Sequence, residues 1–236
     1  MKYYRVLNPQ EEPPQTQLDS AQQQSKFRKQ AIDMLPHSKA VCDISIKTGL
    51  HLNSAMTLAK NAPCFCDVIQ GFIDEKIDIC PLKELSVNDP MENIDIYDLV
   101  EFTNNYMNIV VETGLYFDWG NENAVWEYIW EHIRKTKYSE LPSRLQSVFL
   151  FNNKENAQNF CKDHRDCNYS INEIELLSGR TESFDMNWFT MVRSDIPFGE
   201  AIQDADNYWA KKHTSDPVIE TLHQGLYKGN LAIGGF

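Results

Sequence analysis

Hydrophobic spacing changes twice along this chain, and the change restricts the fold more than any other property of the sequence. Residues 2–7 combine aromatic and β-branched side chains and stop at an Asn-Pro pair, which predicts a short first strand. Apolar residues then recur at helical spacing, most clearly over residues 93–112. From about residue 142 onward, strand patterns dominate. An early strand, a helical middle and a strand-rich second half favour an α+β fold over a doubly wound parallel sheet.

The helix predicted over residues 122–135 has one broad apolar face. Glu127 and Glu131 lie outside this face. Cationic residues follow in the last turn, where they suit the negative end of a helix. The apolar face consists of Val125, Trp126, Ile129, Trp130 and Ile133.

Strand and turn signals divide the rest of the chain. Residues 148–151 predict a strand, and the helix after it is capped by Asn153. Residues 10–24 are rich in Gln, Glu and Pro, which predicts a surface loop or arm. The later predicted elements are a strand at 168–177, a helix at 201–211, and short strands at 218–227 and 231–233 around Gly225 and Gly229.

The composition supports one domain. The 236 residues are 42% hydrophobic, enough to bury a sizeable core without disulfides or metals. Twelve Phe, ten Tyr and five Trp supply large apolar area, so we expect the chain to fold without a partner. We therefore predict a single domain over residues 1–236 with a helical insertion at about 25–120.

The charge balance opposes one class of partner. A formal net charge of −12 works against a broad grip on nucleic acid, which needs Lys and Arg facing the phosphates. No apolar run approaches the roughly 18 to 20 residues of a bilayer span, and the first residues lack the apolar core of a signal peptide. We expect a cytoplasmic protein that does not bind membranes.

The six cysteines are scattered in mostly apolar contexts, which suits reduced thiols in the cytoplasm. Cys64 and Cys66 are closer in sequence than the ligands of a usual zinc knuckle. Cys161, His164 and Cys167 offer only three soft ligands, and a structural zinc would need a fourth from elsewhere. We predict no metal, with this last group as the alternative.

The common catalytic motifs are missing from the sequence. It has no glycine-rich phosphate loop, no His-Glu-x-x-His and no Gly-x-Ser-x-Gly. Three segments remain as candidates for chemistry. They are Tyr4-Arg5 in the first strand, the Pro-Ser-Arg-x-x-Ser block at 142–147 before a strand, and the Pro-Val-Ile-Glu-Thr-Leu segment at 217–222.

This arrangement resembles the ADP-ribosyltransferase superfamily, whose members share an early strand with Arg or His, a middle strand opened by Ser or Tyr, and a late strand bearing Glu. The likeness covers the first strand and roughly residues 122–233. Residues 142–151 also look like a set of bacterial toxin and phage-defence enzymes with this fold. The resemblance implies a split β-sheet core, NAD as the substrate, and a bacterial toxin or anti-phage defence effector.

The resemblance also implies roles for individual residues. Glu220 would stabilise the cation that develops on the ribose as nicotinamide leaves. Ser147 and Arg5 would complete the catalytic set. Arg144, three residues before Ser147, would bind NAD, or it could instead pair with a nearby acid such as Glu140. The NAD site would consist of Tyr4, Arg5, Arg144, Ser147 and Tyr208.

The acceptor implied by the resemblance is a macromolecule, either protein or RNA. The late strand lacks the Glu-x-Glu or Gln-x-Glu pair that is common in enzymes that modify arginine, which argues against arginine as the target. The helical insertion would serve target choice or the docking of a neutralising antitoxin protein.

Two other functions fit the sequence. The chain could be a non-enzymatic interaction protein, with its acidic surface and inserted helices binding another protein. It could also be a metal-dependent hydrolase or nuclease that uses Asp185, His213 and Glu220, which would lose activity in chelator.

Overall fold

The structure is a computed structural model that describes residues 2–7, 17–22, 26–73, 96–118, 120–164 and 170–235. The fold is α+β, as predicted, with one antiparallel sheet and several helices. The strands are β1 (Tyr3–Leu7), β2 (Gln17–Asp19), β3 (Val148–Leu150), β4 (Ser170–Asp185) and β5 (Ile219–Gly235). The helices are α1 (Lys26–Asp33), α2 (Leu35–Thr48), α3 (Leu52–Ile73), α4 (Ile96–Thr113), α5 (Asn123–Lys137), α6 (Lys154–His164), α7 (Asn187–Thr190) and α8 (Phe198–Trp209), with a 3₁₀ turn at Arg144–Gln146.

The described residues fall into two compact units. The sheet unit comprises those within 1–29, 131–191 and 205–236, and the helical unit comprises those within 30–130 and 192–204. The predicted helical insertion at about 25–120 falls largely within the helical unit. None of the described helices is long and apolar enough to cross a membrane.

The sheet of the sheet unit curls back on itself. Its strand order is β1-β4-β5-β2, and β3 also pairs with β5. All pairs are antiparallel. Phe151, just after β3, forms a bridge with Tyr4 of β1, and the backbone N–H of each donates to the carbonyl of the other at 2.8 Å. This bridge brings the two ends of the β1-β4-β5-β3 series together.

The two long strands were predicted too short. The sequence predicts a strand end at residue 177 and breaks around Gly225 and Gly229, but β4 and β5 run unbroken through these positions. Gly179 and Gly225 lie opposite each other with φ of 126° and 154°. A Cβ on Gly179 would stand 2.3 Å from the carbonyl oxygen of Gln224. The glycines therefore permit a close backbone approach inside a strand pair rather than ending the strands.

Two apolar clusters stabilise the sheet unit. The first joins Val148 and Leu150 of β3 to Ile174 and Tyr227, and Leu18 of β2 packs on it. The prediction of a loop or arm over residues 10–24 is therefore wrong for residues 17–19, since they pair with β5. The second cluster comprises Phe151, Ala157, Cys161 and Ile171, with Tyr4, Val6 and Phe160 packed against it.

The helical unit confirms the helix predicted over 93–112, which is observed as α4. Helices α2, α3 and α4 contact one another. Inside the unit, buried His37 of α2 makes two hydrogen bonds to α4, from Nδ1 to the Tyr106 hydroxyl at 3.0 Å and from Nε2 to the Thr113 hydroxyl at 2.9 Å. The helix predicted over 122–135 is likewise observed, as α5.

Candidate functional site

The Pro-Ser-Arg block is held next to β5 by its serine. The backbone N–H of Ser143 donates to the Gln224 side chain at 3.0 Å, and the Ser143 hydroxyl donates to Glu131 at 2.9 Å. Arg134 pairs with the same carboxylate at 2.8 Å. Glu131 was predicted to lie outside the apolar face of its helix, but it is buried. Its burial is tolerated because Arg134 and the Ser143 hydroxyl are its partners. These contacts fix the 3₁₀ turn that carries Arg144.

Arg144, Tyr208 and Glu220 form a buried cluster within the sheet unit. The Nη1 of Arg144 lies 2.5 Å from Oε1 of Glu220 and 2.9 Å from the Tyr208 hydroxyl. That hydroxyl donates to the same Glu220 oxygen at 2.8 Å. Both hydrogen bonds to Glu220 reach Oε1. Its Oε2 accepts none among the residues that the structure describes.

Aromatic rings surround the guanidinium of Arg144. Its Cζ lies 4.0 Å from the ring centre of Phe189, 4.9 Å from that of Phe149 and 5.3 Å from that of Tyr208. The Arg144 and Glu220 side chains are only 5% and 7% exposed. A cation and a carboxylate this deeply buried depend on each other, since removing either one leaves an uncompensated charge.

The cluster keeps Tyr208 neutral. Burial raises the pKa of Tyr208 well above its usual value, and the negative charge of Glu220 adds to this effect, while Arg144 opposes it. A neutral phenol carries the proton that it donates to Glu220. The ring is also stacked on Phe184, with ring centres 4.7 Å apart, which fixes its orientation.

Ser147 lies at the entrance of β3 and is fully buried. Its carbonyl oxygen accepts a hydrogen bond from Arg28. Its hydroxyl has no hydrogen-bond partner among the described residues. A buried hydroxyl without a partner is unfavourable and often marks a functional position. Ser147 directly precedes β3, whose first residue, Val148, pairs with His223 of β5, three residues beyond Glu220.

Arg5 belongs to a different group of contacts. Its Nη1 donates to the Tyr227 hydroxyl at 2.7 Å, and its guanidinium lies 5.6 Å from that ring centre. Tyr227 is seven residues beyond Glu220 in β5, which corresponds to roughly 23 Å of strand. Tyr4 packs on the Phe151 cluster instead. The structure thus brings Arg144, Tyr208 and Glu220 into contact, and Arg5 takes no part in the hydrogen bonds of Glu220.

Asp185 forms a separate, structural polar site. Its two oxygens accept hydrogen bonds from the backbone N–H groups of Asn187, Val218 and Thr214 and from the Thr214 hydroxyl, at 2.7 to 3.1 Å. Burial by itself would raise the pKa of Asp185, but the hydrogen bonds from Thr214, Asn187 and Val218 lower it overall. His213 is exposed. The carboxylate of Asp185 therefore serves to join the end of β4 to the start of β5.

The structure offers no metal centre in the regions it describes, where no group of three His, Cys, Asp or Glu side chains is placed to hold an ion. Cys161 is buried in the Phe151 cluster. Cys167, from the alternative zinc group, lies outside the described residues.

The helical unit has a groove of about 290 Å³ between α2 and α4. Ala40, Ile44 and Phe102 contribute apolar atoms to it. Lys47 also lines the groove and pairs with Asp98 at 2.7 Å and with Glu101 at 2.8 Å.

Sequence reasoning identified the three members of the buried cluster but not their mutual contacts. Arg144 pairs with Glu220 rather than with Glu140, whose carbonyl instead accepts a hydrogen bond from Arg180. The residues that sequence reasoning missed are Phe149 and Phe189. An aromatic residue beside a strand is a common core pattern, so only the fold distinguishes these two.

Comparison with known proteins gives one relationship. No curated protein matches this chain. A family described as a protein of unknown function, DUF2441, matches residues 68–230. The matched region contains Arg144, Ser147, Tyr208 and Glu220 and excludes Arg5. The chain belongs to the DUF2441 family.

Proposed function

We propose that the sheet unit is an NAD-dependent ADP-ribosyltransferase in which Glu220 is the catalytic carboxylate. One observation carries the proposal. Glu220 is buried and held through Oε1 by Arg144 and Tyr208, while Oε2 accepts no hydrogen bond from the described residues. A carboxylate fixed through one oxygen has the other available for a ligand.

The chemistry requires such a carboxylate. When nicotinamide leaves NAD, positive charge develops on the ribose, and a preorganised anion that bonds a ribose hydroxyl stabilises that charge more than it stabilises the substrate. Arg144 and Tyr208 would hold Glu220 in position during this step. The bond to nicotinamide breaks, and a nucleophile on a protein or RNA acceptor forms the new bond to the ribose carbon and loses its proton.

The strand arrangement supports the same function. The strands that carry Arg5 and Glu220, and β3 that follows Ser147, all belong to one curled antiparallel sheet, and β3 is adjacent to β5. A single sheet that holds the early, middle and late strands is what a split-sheet core of the ADP-ribosyltransferase type would require. Ser147, Arg5 and Tyr4 would contact parts of NAD further along β5 from Glu220, because Val148 pairs with His223 and Arg5 bonds Tyr227.

The competing hydrolase function has less support, because Asp185 already accepts four hydrogen bonds from its own chain.

Within the proposed function, the protein is a bacterial toxin or anti-phage defence effector of the cytoplasm. The helical unit would select the acceptor or bind a neutralising antitoxin, and the groove beside α2 is a place for such contacts.

Transfer of label from NAD to protein and RNA acceptors tests the proposal. We expect Glu220→Gln to reduce transfer by at least about a hundredfold, because it removes the charge that stabilises the transition state. Glu182→Gln is the matched control, since Glu182 is also a strand glutamate paired with a cation, Lys211, but is partly exposed. Arg5→Ala in the same assay determines whether the first strand contacts NAD. Transfer that is unchanged in Glu220→Gln would exclude this site, and absence of transfer together with a hydrolytic activity that chelator abolishes would favour the hydrolase.

A further inference from the structure

The edge of β4 is open over about half of its length. Strand β1 pairs with β4 only as far as Ile174, whereas β5 pairs with the other side of β4 up to Asp185. From Glu175 to Ser183, no described residue makes a backbone hydrogen bond to the side of β4 that faces away from β5. Most side chains in this stretch are exposed. Unpaired backbone groups along an exposed edge are a template for a further strand.

The alternation of the backbone limits how two copies of this edge can pair. In an antiparallel pair, alternate residues direct their N–H and C=O groups to the same side. Two identical strands related by a two-fold axis can therefore match donors to acceptors only when the axis passes between two copies of one residue. Within the open edge, an axis at Leu177 or Ser178 would bring no opposite charges together, which leaves Gly179, Arg180, Thr181 and Glu182 as the candidates.

Charge selects one of these four registers. An axis at Arg180 or at Glu182 would place two like charges opposite each other, which destabilises a strand pair. An axis at Gly179 would centre the pairing on a residue whose φ of 126° departs from strand geometry. An axis at Thr181 places Arg180 opposite Glu182 of the second copy, and does so twice. It also places the two Thr181 side chains opposite each other, a pairing that sheets favour.

The side chains of this edge can take new partners. Arg180 is exposed and donates to the carbonyl of Glu140 at 3.0 Å. Glu182 pairs with Lys211 in a half-exposed ion pair. Exposed pairs of this kind contribute little to stability, so sharing them with a second copy costs little.

We propose that the open edge of β4 is a homodimer interface, in which two copies pair antiparallel about an axis at Thr181. The pairing joins the two curled sheets into one continuous sheet. Arg180 of each copy faces Glu182 of the other, and these opposite charges set the register. They also favour a second copy of this chain over an arbitrary strand as the partner.

Charge reversal and charge exchange test this interface. In sedimentation equilibrium over a wide range of concentration, we expect a wild-type dimer. Arg180→Glu and Glu182→Arg should each weaken it about tenfold or more, because each change places like charges opposite each other twice. The double variant Arg180→Glu/Glu182→Arg restores opposite charges and should restore the dimer. A wild-type monomer at all concentrations, or single reversals that leave the dimer intact, would overturn the proposal.

A crosslink tests the register. Directly opposed residues in an antiparallel pair lie about 4.5 to 5.5 Å apart between Cα atoms, within the range of a disulfide. Under mild oxidation, Thr181→Cys should therefore form a covalent dimer above the background of the parent chain. Ser183→Cys should not, because position 183 lies opposite Gly179 of the second copy. Equal crosslinking of both variants would overturn the register, and circular dichroism shows that each variant is folded.

Discussion

At the scale of single residues, the Arg144–Glu220 pair is the feature on which the candidate site depends. Resemblance to a family pointed to both residues separately, because Arg before a strand and Glu on a late strand are local patterns. Their contact was not predictable, since 76 positions separate them in the chain. Only the pairing of β3 with β5 brings the two segments together. That no described residue donates to Oε2 of Glu220 likewise follows from which donors the fold places beside Oε1.

The burial of this pair makes a stability prediction. Arg144→Met removes the cation and leaves Glu220 buried without its charge partner, so we expect the free energy of unfolding to fall by about 3 to 5 kcal/mol. The matched control is Arg193→Met, which breaks the Arg193–Asp195 pair, whose side chains are 69% and 64% exposed. That change should leave the free energy of unfolding almost unchanged, because exposed ion pairs contribute little. Urea titration measures both.

A second substitution distinguishes charge from packing. Adding Glu220→Gln to Arg144→Met removes the uncompensated charge, so part of the lost stability should return. If the double variant is less stable than Arg144→Met, the buried pair is held by packing against the aromatic rings and not by charge.

The buried histidine of the helical unit predicts a pH dependence. Burial lowers the pKa of His37, and its partners Tyr106 and Thr113 are neutral hydroxyls. In the unfolded chain His37 takes up a proton near pH 6.5, whereas in the folded chain it does so only at lower pH. The free energy of unfolding therefore falls as the pH drops below about 6.5. Between about pH 7 and pH 5.5, the melting temperature should fall less in His37→Gln than in the wild type. An equal fall in both would show that His37 does not contribute, leaving His223, whose pKa burial also lowers, as the source.

At the scale of elements, helices were predictable and strand lengths were not. The apolar spacing of α4 and α5 is a local signal, and both helices lie within a few residues of their predicted bounds. Strand β2 has only Leu18 as an apolar residue, so its polar neighbours predicted a loop. The lengths of β4 and β5 depend on Gly179 facing Gly225, a relation between distant residues that neither segment shows by itself.

The glycine pair makes a prediction for these strands. Gly179→Ala puts a Cβ 2.3 Å from the carbonyl oxygen of Gln224 at a positive φ, so the backbone must shift. We expect a loss of about 2 kcal/mol or more in unfolding free energy. Gly199→Ala in α8 is the control, because a Cβ there meets nothing within 4 Å and alanine favours helix. Equal stability of the two variants would show that β4 and β5 do not require the close approach.

At the scale of the whole molecule, the sequence predicted the α+β class and one domain with inserted helices, and the structure shows a sheet unit and a helical unit. The family match runs through both, over residues 68–230. The net charge is −12, and several of the described lysines, such as Lys2, Lys137 and Lys211, are paired with carboxylates of the chain. If the proposed transferase function holds, such a surface suits a protein acceptor better than nucleic acid, because paired cations do not face phosphates.

Release of nicotinamide from NAD measures the proposed bond cleavage directly and needs no knowledge of the acceptor. The wild-type protein should release nicotinamide, and Glu220→Gln should do so at least about a hundredfold more slowly while Glu182→Gln keeps the wild-type rate. Equal rates in the wild type and Glu220→Gln, or no release by either under conditions where the protein is folded, would contradict the role of Glu220.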